Sequence, residues 1–170
     1  PSSISGGAMT LLATQTASSS ATLSFTSGID DTYDSYVFKY ISIHPSADAT
    51  NLLINFSVDG GSNYNVTKTT TFFRAEHSPT QNVTELAYKA GEDLAQSTSD
   101  QILLRTFSTE NDHAGSGVVQ LFSPSSTVFV KHFICDGNTI THSNDVSSRN
   151  FIAGYGNTTS AIDAVQFKMS

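Results

Sequence analysis

The sequence predicts an all-β protein, an antiparallel β-sandwich of the jelly-roll type with about ten short strands. Two observations lead to this prediction. Short runs of β-branched and aromatic residues alternate with Ser, Thr, Asn, Asp and Gly, and charged residues make up only 14% of the 170 positions. The runs have the period of two that half-buried strands show, and no helical crossovers separate them. A sandwich and a closed barrel both fit this pattern, and the unequal turn lengths favour the sandwich.

The predicted strands follow one another along the chain and are separated by turn residues. Serines at 18–20 separate the first two, and Pro45 ends the third because it lacks a backbone donor. Residues 59–62 form the turn after the fourth strand, and only residues 92–97 look helical, for a turn or two. The predicted strands are residues 9–16, 21–26, 36–43, 52–58, 64–73, 82–89, 101–107, 117–123, 127–134, 150–153 and 161–169.

The predicted strand at residues 36–43 is the clearest of these, and it is apolar on both faces. One face carries Tyr36, Phe38 and Tyr40, and the other carries Val37, Ile41 and Ile43. Because a solvent-facing side would be polar, we expect this strand to be central in its sheet and covered on its outer side.

Length and cysteine content indicate one domain without disulfides. A chain of 170 residues fits a single domain, predicted over residues 9–170, and a domain near this size buries roughly 70% of the surface of its unfolded chain. Residues 1–8 are expected to be a flexible linker or the remnant of an N-terminal anchor. The single cysteine, Cys135, ends an apolar run and is expected to be a buried, inert thiol.

Charge and hydropathy exclude two classes of partner. The formal net charge is −7, and the 8 basic residues are scattered along the chain. Nucleic acid binding requires clustered cations, so we expect no nucleic acid partner. No apolar stretch approaches 18 residues, so we expect no membrane span.

Residues 57–64 approximate the Asp-box pattern, a short motif of glycan-handling propellers. The expected physics is local: the carboxylate accepts amides of its own turn, the glycines supply positive φ, and the aromatic ring packs beneath. A single copy cannot build a propeller, so a structural hairpin turn is the favoured interpretation. Its residues are Ser57, Asp59, Gly60, Gly61 and Tyr64.

Two polar loops are candidate sites. Asp30, Asp31 and Asp34 could supply some of the oxygens that calcium needs, although their spacing is not that of an EF-hand and a solvated turn is favoured. We therefore expect no metal and no cofactor. His113 lies in the longest polar loop with Asp112 and Ser116, but near neighbours in sequence rarely form a triad. We expect this loop to contact a partner.

Three tyrosines flank glycine-rich or acidic turns: Tyr33, Tyr64 and Tyr155. Tyrosine rings at such positions could stack on sugars, and packing within the hairpins is the favoured alternative.

Five segments together resemble a family of small virion structural proteins of marine tailed bacteriophages. They are residues 25–39, 43–45, 69–75, 121–133 and 153–170, of which the last two are the most specific. The resemblance implies a β-rich component of the particle exterior, and the family brings no catalytic residues. It also implies a short further strand after residue 170, so we expect an incomplete C-terminus.

Taken together, these observations predict a non-enzymatic structural protein on the exterior of a tailed-phage virion, either a capsid decoration protein or a fibre-like module that contacts other virion proteins. One alternative is a carbohydrate-binding adhesin tip that recognises a host surface glycan, with Tyr33, Tyr64, Tyr155 and the loop of His113 gathered at one end of the sandwich. The other is a glycan hydrolase, which would require a carboxylate pair such as Glu76 and Glu110 about 5 to 10 Å apart.

A second apolar face needs cover, either from a neighbouring subunit or from folded-over loops. By analogy with β-sandwiches on the exterior of virus particles, which often form trimers, we expect a homotrimer. In residues 127–135, Val128, Val130 and Ile134 share one predicted face. Phe129, Lys131 and Phe133 are the candidate interface residues, and His132 is expected to turn towards the core.

Overall fold

The computed structural model describes residues 9–170, and this part of the chain contains strands and no helix. Residues 1–8, the predicted linker, lie outside the described residues. None of the described residues forms a helix that is long and apolar enough to cross a membrane. The strands are β1 (Thr22–Phe25), β2 (Ser35–Ile43), β3 (Leu52–Ser57), β4 (Lys68–His77), β5 (Thr84–Tyr88), β6 (Gln101–Leu104), β7 (Gly115–Phe122), β8 (Lys131–Ile140), β9 (Ser147–Gly156) and β10 (Ala164–Met169).

The strands form two antiparallel sheets that pack face to face. The first sheet has the order β1-β10-β3-β6, and the second has the order β2-β7-β8-β9-β4-β5. Aromatic side chains join the sheets: the ring centroids of Phe56 and Phe133 are 5.2 Å apart, and those of Phe38 and Phe167 are 5.8 Å apart. Phe56 and Phe133 are both fully buried. The predicted antiparallel β-sandwich is therefore confirmed.

The strand order is that of a jelly roll with one inserted hairpin. Without β8 and β9, the remaining strands would form two four-stranded sheets, β1-β10-β3-β6 and β2-β7-β4-β5, the arrangement that two Greek keys produce. The hairpin of β8 and β9 lies between β7 and β4. It widens the second sheet to six strands, so this sheet extends beyond the four strands opposite it.

The strand registers define two ends of the sandwich. One end contains the start of β8 at Lys131, the end of β9 and the start of β2, and we call it the Lys131 end. At the opposite end Ile43 pairs with Gly115, and the loop that carries His113 leads into this pair. We call it the His113 end.

Two predicted elements are wrong. Residues 9–16 form no strand, and Leu11 is 81% exposed. Residues 92–97 form turns rather than a helix, because their backbone groups bond to the neighbouring strand β4. The amide of Thr70 donates to the Leu94 carbonyl at 2.9 Å, and Lys68 and Ser97 exchange backbone hydrogen bonds.

The predicted central position of residues 36–43 is also wrong, because β2 is an edge strand of the six-stranded sheet. One of its two apolar faces is the inner face, with Tyr36 and Tyr40 buried in the core. On the other face Ile41 is 72% exposed. A bulge between Tyr40 and Ile43, where Ser42 has a φ of 52°, returns Ile43 to the core.

Candidate functional site

The outer face of the six-stranded sheet presents apolar side chains to solvent. Strand pairing places Tyr88 beside Phe73 and Phe73 beside Phe151. Phe73 is 41% exposed and Ile134 is 49% exposed. A shallow cavity of about 330 Å³ lies over the middle of this surface. We define the outer face by Val37, Phe73, Tyr88, Val118, Ile134 and Phe151.

The aromatic residues of the outer face are held in a fixed arrangement. The rings of Phe73 and Phe151 are stacked, with centroids 4.8 Å apart and an interplanar angle of 13°. The guanidinium of Arg149 lies 4.6 Å from the centroid of the Phe151 ring. The ring of Phe151 is therefore in contact with both Phe73 and Arg149.

Arg149 also neutralises the acidic group on this surface. Its Nε donates to Asp136 Oδ1 at 2.9 Å. This hydrogen bond lowers the pKa of Asp136 and raises the pKa of Arg149. The two charges satisfy each other, so the outer face can meet another apolar surface without leaving either charge unpaired.

The turn at residues 57–64 has the predicted local structure. Asp59 Oδ1 accepts the Asn63 amide at 2.9 Å and the Ser57 hydroxyl at 2.6 Å. These bonds lower the pKa of Asp59 to about 2. Gly60 and Gly61 have φ values of 70° and 86°. The prediction of a hairpin is wrong, however, because β3 and β4 belong to different sheets and the turn is a corner between them.

The candidate sugar-binding residues do not all gather at one end. Tyr33 precedes β2 and Tyr155 lies near the end of β9, so both are at the Lys131 end. Tyr64 lies at the same end, because Thr67 accepts the amide of Asn157 at 2.7 Å just after β9. His113 is at the opposite end. The predicted cluster of all four is therefore wrong, and three tyrosines remain.

The three tyrosines differ in their exposure to solvent and in their contacts with neighbouring side chains. Tyr33 is 39% exposed and packs edge to face against Tyr36, with centroids 5.9 Å apart. Tyr155 accepts a hydrogen bond from Gln96 Nε2 at 3.3 Å. The Tyr64 hydroxyl is buried and has no hydrogen-bond partner in the described part of the chain. Tyr33 and Tyr155 are therefore the better candidates for a ligand.

The loop of His113 brings together three side chains of the kinds that can bind a metal ion. His113 Nε2 lies 3.8 Å from Asp112 Oδ1 and 4.0 Å from Glu110 Oε2, and both acids are exposed. Ser116 does not join them, since its hydroxyl accepts the amide of Ser42 at 2.9 Å. The Nδ1 atom of His113 is buried and has no hydrogen-bond partner among residues 9–170. The arrangement is a compact polar loop rather than a catalytic triad.

The acidic loop before β2 is a capped turn. Asp30 Oδ1 accepts the amide of Thr32 at 2.9 Å and the hydroxyl of Tyr36 at 3.0 Å, and these bonds lower the pKa of Asp30. Asp30, Asp31 and Asp34 are not among the side chains that converge to metal-ligand distance in residues 9–170. The two carboxylates of the predicted hydrolase pair each have other neighbours. Glu76 Oε2 lies 3.1 Å from Arg74 Nε, and Glu110 lies in the His113 loop.

The predicted side-chain directions in residues 127–135 are wrong. Phe133 is 1% exposed and packs in the core of its own subunit, and Lys131 is fully buried. His132 is exposed instead of facing the core. The alternation itself holds within β8, but the two faces are reversed: Lys131 and Phe133 face the opposing sheet, and His132 and Ile134 face outward. Of the three candidate interface residues, only Phe129 reaches solvent, at 71% exposed.

Sequence reasoning missed a buried polar network at the Lys131 end. It joins Asn55 of β3, Lys68 of β4 and Asp100, which precedes β6. Lys68 is fully buried and Asn55 is 2% exposed. The only signal in the sequence is a polar residue inside each of two strand-forming runs, which does not indicate that the two meet.

Comparison of the chain with protein-family models, with curated protein sequences and with solved structures gives no match. The class of protein is therefore defined by the fold: a jelly-roll β-sandwich with an inserted hairpin and an exposed apolar sheet face.

Proposed function

We propose that this chain is a non-enzymatic structural protein on the exterior of a tailed-phage virion, as a capsid decoration protein or a fibre-like module. The observation that supports a structural role is the exposed apolar outer face of the six-stranded sheet. Surfaces of this kind mark contacts with proteins. The assignment to a virion rests on the sequence resemblance and on the use of jelly rolls in viral capsids, which is an analogy of fold.

We further propose that the outer face is covered by other copies of the chain in a homotrimer. Arg149 and Asp136 within this surface pair with each other, so their charges do not oppose the approach of a second copy, and the exposed Lys39 of β2 lies at the edge of the sheet beside Val118. Phe129 is a further exposed aromatic residue, in the loop before β8 at the Lys131 end.

The test of the virion assignment is to locate the protein. We expect mass spectrometry of purified particles to detect it, and cryo-electron microscopy to show its ten-stranded sandwich on the particle surface. A protein that is abundant in infected cells but missing from purified particles would contradict the assignment.

A second candidate function is glycan binding at the Lys131 end, where Tyr33, Tyr64 and Tyr155 lie. The test is a glycan array with Tyr33→Ala and Tyr155→Ala variants. Tyr88→Ala is the matched control, since Tyr88 is 54% exposed on β5 in the outer face. Binding that is lost in the first two variants and kept in the control would support this function, and an array without any signal would count against it.

A further inference from the structure

Two lysines are fully buried at the Lys131 end, and their surroundings differ. Lys131 Nζ donates to two backbone carbonyls, those of Phe129 at 2.9 Å and Thr158 at 3.2 Å. Lys68 Nζ donates to the Val66 carbonyl at 2.7 Å and to the side-chain carbonyl of Asn55 at 2.6 Å. Lys68 therefore places an amine against a carboxamide group, whereas Lys131 meets only backbone.

The carboxamide of Asn55 is held in one orientation. Its Oδ1 also accepts the amide of Phe56 at 2.9 Å, and its Nδ2 donates to the Thr98 carbonyl at 3.0 Å and to Asp100 Oδ1 at 2.9 Å. Since a C=O bond is about 1.23 Å long, Lys68 Nζ lies within about 3.8 Å of Asn55 Cγ. This separation is close to the distance at which held groups react.

We propose that Lys68 and Asn55 join spontaneously in an isopeptide bond between Nζ and Cγ, with Asp100 as the group that transfers protons. The bond would link β3 in the four-stranded sheet to β4 in the six-stranded sheet. It is a covalent tie across the sandwich, and it does not depend on the proposed virion function.

The reaction needs no reagent beyond these three side chains. The ammonium of Lys68 first gives up one proton, and the lone pair of the neutral amine attacks Asn55 Cγ. The Cγ–Nδ2 bond breaks as the Nζ–Cγ bond forms, and the attacking nitrogen loses a second proton. Both protons pass to Nδ2, which leaves as ammonium, so one lysine ammonium and one carboxamide become one secondary amide and one ammonium ion.

Each group is suited to its step. Burial lowers the pKa of Lys68 to about 8, while the nearby charge of Asp100 acts in the opposite direction. The neutral, nucleophilic amine is therefore well populated in mildly alkaline solution. Asp100 Oδ1 contacts the leaving nitrogen directly, and its other oxygen lies 2.6 Å from Lys168 Nζ, which holds the carboxylate in place.

The first test is the intact mass of the purified full chain. We expect the folded protein to be lighter than its sequence by about 17 Da, the mass of one ammonia. The Lys68→Met and Asp100→Asn variants should have their full sequence masses. Lys131→Met is the matched control for a buried lysine and should keep the loss. Asn55→Asp should lose about 18 Da instead, because water replaces ammonia as the leaving group.

A tryptic digest of the denatured protein locates the bond. An acylated Lys68 resists trypsin, so we expect one peptide covering residues 40–74 that carries the mass loss and an internal link. A cyclic imide at an asparagine gives the same loss but leaves Lys68 cleavable, and this result would overturn the proposal. A folded wild-type chain at its full sequence mass would overturn it as well, whether or not the variants fold.

Discussion

At the scale of single residues, Asp59 shows how one carboxylate fixes a corner of the sandwich. Its two oxygens accept the hydroxyl of Ser57 and both the backbone and side-chain nitrogens of Asn63. Gly60, in the same turn, donates its amide to Asp163 at 3.0 Å, just before β10. Hydrogen bonds within the turn therefore fix its conformation, and the bond to Asp163 connects it to the segment before β10.

We expect Asp59→Ala to lower the melting temperature, because the turn amides lose their acceptor. The pKa of Asp59 is depressed to about 2, so its contribution is complete above the ordinary carboxyl pKa of about 4 and disappears as the pH falls through about 2. The difference in melting temperature between wild type and variant should therefore shrink from pH 5 to pH 2, as thermal scans across this range would measure. Asp31→Ala is the control, and an equal effect there would argue against the role of Asp59.

Cys135 is the second residue for which the structure makes a definite prediction. It is 4% exposed, and burial raises the pKa of its thiol to about 12. Because the thiolate is the reactive form, we expect no labelling by a thiol reagent in the native protein at pH 8 and complete labelling in guanidinium chloride. Rapid labelling of the native protein would show that the strands around Cys135 open readily.

At the scale of strands, the inner face of β2 depends on glycines in its neighbours. Tyr40 pairs with Gly117 of β7, and Gly117 pairs with Gly137 of β8. A Cβ atom on Gly117 would lie 2.6 Å from the Asp136 carbonyl oxygen and would also meet the Tyr40 hydroxyl. The two glycines thus leave room for the Tyr40 ring, whose hydroxyl lies 3.4 Å from Cys135 Sγ.

We expect Gly117→Ala to lower the free energy of unfolding by about 1 to 3 kcal/mol, because the added methyl group meets backbone that cannot move aside. Gly91→Ala is the matched control, since a Cβ at Gly91 would have open space around it. Denaturant titrations of both variants measure the difference. Equal stability of the two variants would mean that β2 can shift to accommodate the methyl group.

At the scale of the whole molecule, the inserted hairpin of β8 and β9 creates the surface on which the proposed assembly depends. The hairpin supplies Ile134 and Phe151, while the jelly-roll strands supply Val118 and Phe73. The sandwich has one interior, and the four-stranded sheet covers only one face of the six-stranded sheet. The apolar outer face is therefore exposed in the described part of the subunit, and the proposed trimer would bury it.

We expect Ile134→Glu to convert a trimer into the 18.1 kDa monomer, because it places a charge in the middle of the outer face. Sedimentation velocity measures the change, and circular dichroism checks that the subunit remains folded. Ser62→Glu, in the exposed corner turn, is the control and should remain trimeric. A wild-type chain that sediments as a monomer at micromolar concentration would contradict the trimer.

The sequence by itself determined the features that depend on local chemistry. Alternation of side chains placed Tyr36, Phe38 and Tyr40 on one face of a strand, and the local structure of the turn at Asp59 followed from the hydrogen bonds that an Asp and two glycines make within one turn. The all-β class followed from the same period-two pattern. These predictions hold because each depends on residues that are close together in the chain.

Only the tertiary structure decided the features that depend on pairing between distant segments. Alternation in residues 36–43 could not show that β2 lies at a sheet edge, and alternation in residues 131–135 could not show which face of β8 meets the opposing sheet. Likewise, Asn55 of β3, Lys68 of β4 and Asp100, just before β6, are far apart in the sequence and meet only when the two sheets pack. The physical reason is that a strand's period gives its two faces, whereas the neighbouring strands and the opposing sheet determine which face is buried and what it meets.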